Sequence, residues 1–189
     1  VPLKEIIFIK CSKMNKIETS LAETFSKWVH NLNINDIPQE VVNKLQLVVM
    51  DSFGLMVSAK NQQYIKSLMN ALKENGDCTL VGHNKKVNPF NASIINGTAI
   101  HGEDFDDTFE GTPVHVGSVM VPAILSSAQA INLDGQKFLK GLVVGSELIC
   151  RLALVAPTAV HRQGFHPTAI FGAFGSSIGV SSLLGNTID

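Results

Sequence analysis

Apolar residues recur every three to four positions along most of this chain, with polar residues between them, the pattern of amphipathic helices. Leu21, Phe25, Trp28, Val29 and Leu32 mark the first helix. Ser20-Leu-Ala-Glu23 forms a capping-box pattern there, with Ser20 as N-cap and Glu23 three residues on. A second helix starts near Pro38, which suits a first helical turn. It gathers Val41, Val42, Leu45, Val48, Val49, Phe53 and Met56 on one face. A third is predicted over Gln62–Asn75, stopping at Gly76. Cys78-Thr-Leu-Val-Gly82 is the one strand-like run, and His83-Asn-Lys-Lys86 reads as a turn. Asn88 then caps a helix with Pro89 in its first turn, running to about Ile100.

After Pro113 an uncharged apolar helix is predicted over Ser118–Ile131. Asp134 caps the next, from Gln136 to about Val155, and Pro157 closes it. A loop, Thr158–Gly164, leads to a last helix over Thr168–Leu184 that carries Gly172, Gly175 and Gly179. Glycine costs about 1 kcal/mol against alanine inside a helix, so these positions, with Gly97, Gly141 and Gly145, predict close helix–helix approach. No repeat, low-complexity tract or linker interrupts the pattern. The expected fold class is all-α, one domain of six or seven helices. Residues 163–188 hold no formal charge, a run long enough to span a bilayer. Its serines and glycines, and the lack of an aromatic belt or lysine-rich flank, favour a buried central helix instead.

Composition adds two constraints. The 189 residues are 45% hydrophobic and only 16% charged, which predicts wide internal packing or surface covered by other protein. The net charge of −1 gives no electrostatic footprint for nucleic acid. Cys11, Cys78 and Cys150 match no zinc or redox spacing and fit reduced thiols. The ends read as those of a piece of a longer protein. Residues 1–13 precede a natural start at Met14 and read as an upstream, non-native segment, while 14–189 read as a partial domain. Ile6–Ile9 is too short an apolar run for a signal peptide, and Asn186–Asp189 looks like the start of a further helix.

The chemistry concentrates where the helical pattern breaks. Between His101 and His115 lie Glu103, Asp104, Asp106, Asp107 and Glu110. Acids at a helix C-terminus oppose its dipole, at roughly 0.3–1 kcal/mol each, so stability alone does not explain them. Asp104 follows His101 by three residues, which predicts that both share one helical face, continued by Asp107. A carboxylate beside an imidazole fixes its tautomer and readies it as acid or base. His115 sits in a loop entering an apolar helix. His166 stands before Pro167 at a helix N-terminus, where it and Thr168 could help hold a carboxylate, with Arg162 a further anion-binding candidate. His30, His83 and His161 read as surface residues, and Glu103, Asp106 and Glu110 as solvated or structural. Metal binding is a rival use of the cluster, but there is no His-Glu-x-x-His. No Walker A loop, G-x-G-x-x-G or G-x-S-x-G is present, which leaves nucleotide and serine-nucleophile chemistry unsupported.

Several blocks of the chain resemble the MmgE/PrpD family, which includes 2-methylcitrate dehydratase and cis-aconitate decarboxylase. They are Asn96-Gly-Thr-Ala-Ile-His101, Asp104-Phe-Asp-Asp-Thr108, His115 and Val119-Met-Val-Pro-Ala-Ile-Leu125. Gly164-Phe-His-Pro-Thr168, Gly172-Ala-Phe-Gly175 and Leu183-Leu-Gly185 are similar to its second block, so the likeness runs from about Ser20 to Asp189. The resemblance implies a large all-helical domain with a smaller α+β domain absent here. It implies a homodimer with its active site between domains and no metal or organic cofactor, and the reduced cysteines fit a cytoplasmic location. It places Asp104, His115 and His166 on catalytic positions, with His101, Asp107, Arg162 and Thr168 as candidate substrate-binding residues. A further lysine and histidine of the family would lie beyond residue 189. Phe109-Glu110-Gly111 departs from the decarboxylase pattern and leaves substrate identity open. The implied activity is a lyase, a dehydratase or related decarboxylase or isomerase, on a small polycarboxylate such as 2-methylcitrate. The implied partners include no nucleic acid and no membrane. A non-catalytic helical or dimerisation module, and a metal-dependent hydrolase, are the alternatives.

Overall fold

The computed structural model describes residues 20–187, so the reading of residues 1–13 and the last two residues lie outside the described residues. The helices are α1 (Leu21–Asn31), α2 (Gln39–Ala59), α3 (Gln63–Ala71), α4 (Pro89–His101), α5 (Gly117–Ala130), α6 (Gly135–Val155), α7 (Ala159–Arg162) and α8 (Pro167–Leu184). A 3₁₀ turn, Ile34–Asp36, separates α1 from α2, and one two-stranded hairpin pairs β1 (Cys78–Thr79) with β2 (Lys86–Val87). The domain is predominantly helical, as the periodicity predicts.

The predicted caps are present. Ser20 accepts from the Glu23 N–H, Asn88 from Asn91 and Asp134 from Lys137. Three boundaries differ from the sequence reading. The third helix ends at Ala71 rather than Asn75. The chain leaves it because the Glu74 carbonyl accepts the Asn88 N–H and its carboxylate accepts from the Asn88 amide. Gly76 lies so close to the backbone of Val87 and Asn88 that a Cβ there would sit 2.6 Å away. The strand-like run 78–82 is strand only at its first two residues. Asn96 of α4 accepts the Val81 N–H and donates to the Thr79 carbonyl, while Gln129 of α5 accepts the Thr79 N–H. Helix side chains therefore tie the hairpin down, and a longer ladder does not form. The loop read over Thr158–Gly164 contains the single turn α7.

Helix α5 is the hub, packed by α2, α4, α6, α8 and β1. Met120, Val121, Ile124 and Ala128 are buried along it, and Ser126 returns its hydroxyl to the Pro122 carbonyl at 2.7 Å. The glycines account for the α6–α8 contact. A Cβ at Gly175 would lie 2.9 Å from the Gly145 carbonyl oxygen, and one at Gly179 would lie 2.9 Å from that of Gly141. The two backbones touch, so α8 lies against α6 with no side chain between them there. Helices α2 and α8 are each long and apolar enough to cross a membrane by length and composition. In this fold each buries one face against the other helices, and α8 differs from the buried central helix expected, since Ile170, Phe174 and Leu184 on its other side are exposed.

Two glycines should respond oppositely to alanine. Gly175→Ala forces a methyl onto the α6 backbone and should destabilise by about 1–3 kcal/mol. Gly54→Ala, with open space around its Cβ position in α2, should stabilise by about 0.5–1 kcal/mol. Denaturant midpoints of the two variants against wild type check both signs.

Candidate active site

Three helix ends converge on the acidic segment. Helix α4 ends at His101 because the chain turns at Gly102, whose N–H bonds the Thr98 carbonyl. The Tyr64 ring of α3 occupies the space a Gly102 Cβ would need, and its hydroxyl donates to Glu103 at 2.8 Å. Burial and the Glu103 carboxylate push the Tyr64 phenol up to about 12, so it stays a donor. Asp104 then adopts a left-handed backbone, φ 58°. The expectation that His101, Asp104 and Asp107 share a helical face is therefore corrected: the helix has ended before Asp104. An acidic side chain tolerates this conformation better than most non-glycine residues.

Beyond Phe105 the two adjacent aspartates part. Asp106, read as solvated or structural, has a fully buried carboxylate. It lies 3.0 Å from His101 Nδ1 and 3.3 Å from His115 Nδ1. The first contact is a hydrogen bond. The second is an ion-pair contact without hydrogen-bond alignment, and His115 Nδ1 has no hydrogen-bond partner among the described residues. Asp107 instead accepts the Gly117 N–H at 2.8 Å and the Val116 N–H at 3.2 Å. It thus caps α5, where a negative charge favours the dipole. Gly117 is required beside it, since a Cβ would collide with the carboxylate. Burial is the main cause that raises the Asp107 pKa from 3.8 to about 6. The Gly117 N–H lowers it, Asp106 raises it, and Val116 and His115 lower it.

The histidines form one array. His101 Nε2 is 3.2 Å from His166 Nε2, and their rings stack with centroids 5.3 Å apart. The His101 and His115 centroids are 4.9 Å apart, and those of His115 and His166 6.4 Å. Asp104 reaches His115 Nε2 at 3.9 Å from a largely exposed position. Burial, then His101 and His115, lower the His166 pKa, against a raising effect of Asp104 and Asp106. The His115 N–H donates to Thr168 Oγ1 at 3.0 Å, which ties the start of α5 to the start of α8.

The structure thus brings together Asp104, His115 and His166, and adds His101 and Asp106. Asp107 and Thr168 are buried and bind backbone N–H groups. In these positions they support the loop and the backbone of His115. Arg162 is exposed at the end of α7 and makes no ion pair among the described residues. Sequence reasoning missed Asp106 because the segment is not helical, so helical spacing does not decide which aspartate faces the histidines. One ligand atom each from His101, Asp104, Asp106 and His115 lie within 4.8 Å of one another, close enough to share a cation. The buried Asp106 carboxylate already faces two imidazoles, an arrangement suited to holding protons.

Residues 23–189 match the family model described as the MmgE/PrpD N-terminal domain. The chain belongs to the MmgE/PrpD family. Among curated MmgE/PrpD-like relatives, it is 27% identical to a cis-aconitate decarboxylase-like protein, oryM, of Aspergillus oryzae, over 91% of this chain and 38% of that protein. It is 23% identical to cis-aconitate decarboxylase of Aspergillus terreus, over 95% and 39% of the two chains. It is 27% identical to the cis-aconitate decarboxylase of Homo sapiens, over 88% and 36%. The chain therefore spans less than two fifths, or about that share, of the relatives it matches.

Asp107 should leave a pH signature in stability. Its folded pKa lies above its ordinary value, so the native state binds the proton more tightly than the unfolded chain. That stabilisation is complete below about pH 4 and is lost as pH rises through about 6. Against Asp107→Asn, which does not titrate, wild type should gain of order 2 kcal/mol between pH 7 and pH 4. Chemical denaturation of both proteins across that range checks the sign.

Proposed function

We propose that this domain carries part of the active site of a lyase that acts on a small polycarboxylate by histidine acid–base catalysis. The supporting observation is the array of His101, His115 and His166 around the buried Asp106. Family membership supports it independently. Dehydration of a hydroxy acid requires a base to take a proton from carbon and an acid to protonate the departing hydroxyl. Decarboxylation of an unsaturated acid requires a proton delivered to carbon as carbon dioxide leaves. Imidazoles serve both reactions near neutral pH. In this reading His115 and His166 transfer protons, and Asp104 lies beside His115 Nε2 on the solvent side.

A tricarboxylate substrate such as 2-methylcitrate, citrate or cis-aconitate fits the reading. Similarity to cis-aconitate decarboxylases supports decarboxylation of cis-aconitate as a second form of it. The acids Glu103, Asp104 and Glu110 would repel a polyanion, so the cationic groups that bind it belong to other parts of the working enzyme. We place that enzyme in the cytoplasm as a homodimer, with a second, smaller domain completing the site and no metal or organic cofactor. The 189-residue chain alone should show little or no turnover.

In the complete enzyme, His115→Ala and His166→Ala should each lower kcat by ~10²-fold or more, read on the substrate a screen of these acids identifies. Wild-type turnover in both variants would overturn the assignment. A stoichiometric metal in the purified enzyme, with activity lost on chelation and restored by that metal, would favour hydrolase chemistry instead.

A further inference from the structure

The contact between His101 and His166 joins two ring nitrogens of the same kind, and this constrains where the protons are. A carboxylate only accepts hydrogen bonds, so the Asp106 contact requires His101 to carry a hydrogen on Nδ1. Neutral His101 then has its lone pair on Nε2. The 3.2 Å between His101 Nε2 and His166 Nε2 admits one hydrogen, and His166 must supply it. Neutral His166 is left with its lone pair on Nδ1. His166 is an exposed residue at the N-cap of α8, whereas Asp106 at the other end of the chain of contacts is fully buried.

We propose that Asp106 and His101 are positioning residues that hold His166 as the Nε2–H tautomer and draw charge away from it through a two-histidine relay. This assignment rests on the lyase reading for its catalytic meaning. When His166 Nδ1 takes a proton from carbon, the Nε2 hydrogen of His166 passes to His101 Nε2. One proton enters, one moves between the rings, and no other bond changes in the protein. His166 ends neutral with its hydrogen on Nδ1, and the positive charge rests on His101 against the Asp106 carboxylate. Charge on His166 itself is disfavoured by the partial loss of water around its ring where it meets its neighbours and by His101 and His115, while Asp104 and Asp106 act in the opposite direction. The reverse sequence returns a proton to the product or leaving group. Among the described residues, these four are the titratable groups that act on His166 from the three helix ends and the intervening loop.

The relay can be tested without substrate. In the ¹⁵N-labelled chain at a pH where the histidines are neutral, long-range ¹H–¹⁵N correlation should show His101 as the Nδ1–H tautomer and His166 as the Nε2–H tautomer. Asp106→Asn presents an amide donor to His101 Nδ1 and should invert both tautomers together, the wrong-tautomer effect seen when a triad aspartate becomes asparagine. In the complete enzyme the same variant should lower kcat by about 10²-fold with KM within about threefold, and should shift the acid limb of the pH–kcat profile. An Nε2–H His101 or an Nδ1–H His166 in the wild-type chain overturns the proposal. So does inversion of His101 alone in the Asp106→Asn chain. The wild-type spectrum needs no variant to fold, and it reads the relay whatever the substrate screen returns. Failure of the lyase reading and failure of the relay are therefore separate results.

Discussion

The carboxylate of Asp107, enclosed by protein and bound by the first N–H groups of α5, sets the geometry on which the rest of the site depends. It converts an acid-rich segment, unfavourable at the C-terminus of α4, into a cap for the next helix. Asp106, at the bend before that cap, faces the other way, toward His101 and His115. The cost is a carboxylate taken out of water, visible in its raised pKa. Two backbone donors, a glycine at position 117 and a neighbouring histidine offset that cost in part.

The helical packing supplies the second half of the geometry. His166 reaches His101 only because α8 begins beside the junction of α4 and α5. The backbone contacts Gly145–Gly175 and Gly141–Gly179 fix how closely α8 lies on α6, and the Thr168–His115 hydrogen bond fixes its start against α5. Residues without side-chain chemistry therefore decide a distance between two ring nitrogens. The polar side is more exposed than the glycine seam. Asp104 and His166 face solvent, and Phe105 and Phe165 beside them are 78% and 60% exposed, an apolar margin around polar chemistry.

Much of this was legible in the residues. The capping side chains Ser20, Asn88 and Asp134 announced their helices because a cap is a local hydrogen bond. The small residues of the last helix announced close packing because glycine has few other reasons to persist there. Asp104, His115 and His166 were marked by residue type and by resemblance to a family. The end of α3 was not legible, since Glu74 leaves the helix to meet Asn88 fourteen residues later. Nor was the division of labour between Asp106 and Asp107. Identical side chains one residue apart have the same propensity, and only their partners distinguish them.

The sequence by itself determined the helices, their caps, the glycine-lined contact and the presence of an acid–histidine segment, because each follows from periodicity, composition or a hydrogen bond within a few residues. The tertiary structure alone decided that Asp104 lies beyond its helix, that Asp106 is the carboxylate between the histidines, and that His101 meets His166 across 65 positions. Those features depend on where three helix ends stop relative to one another. That is fixed by packing and by burial of charge against distant backbone, which no local pattern encodes.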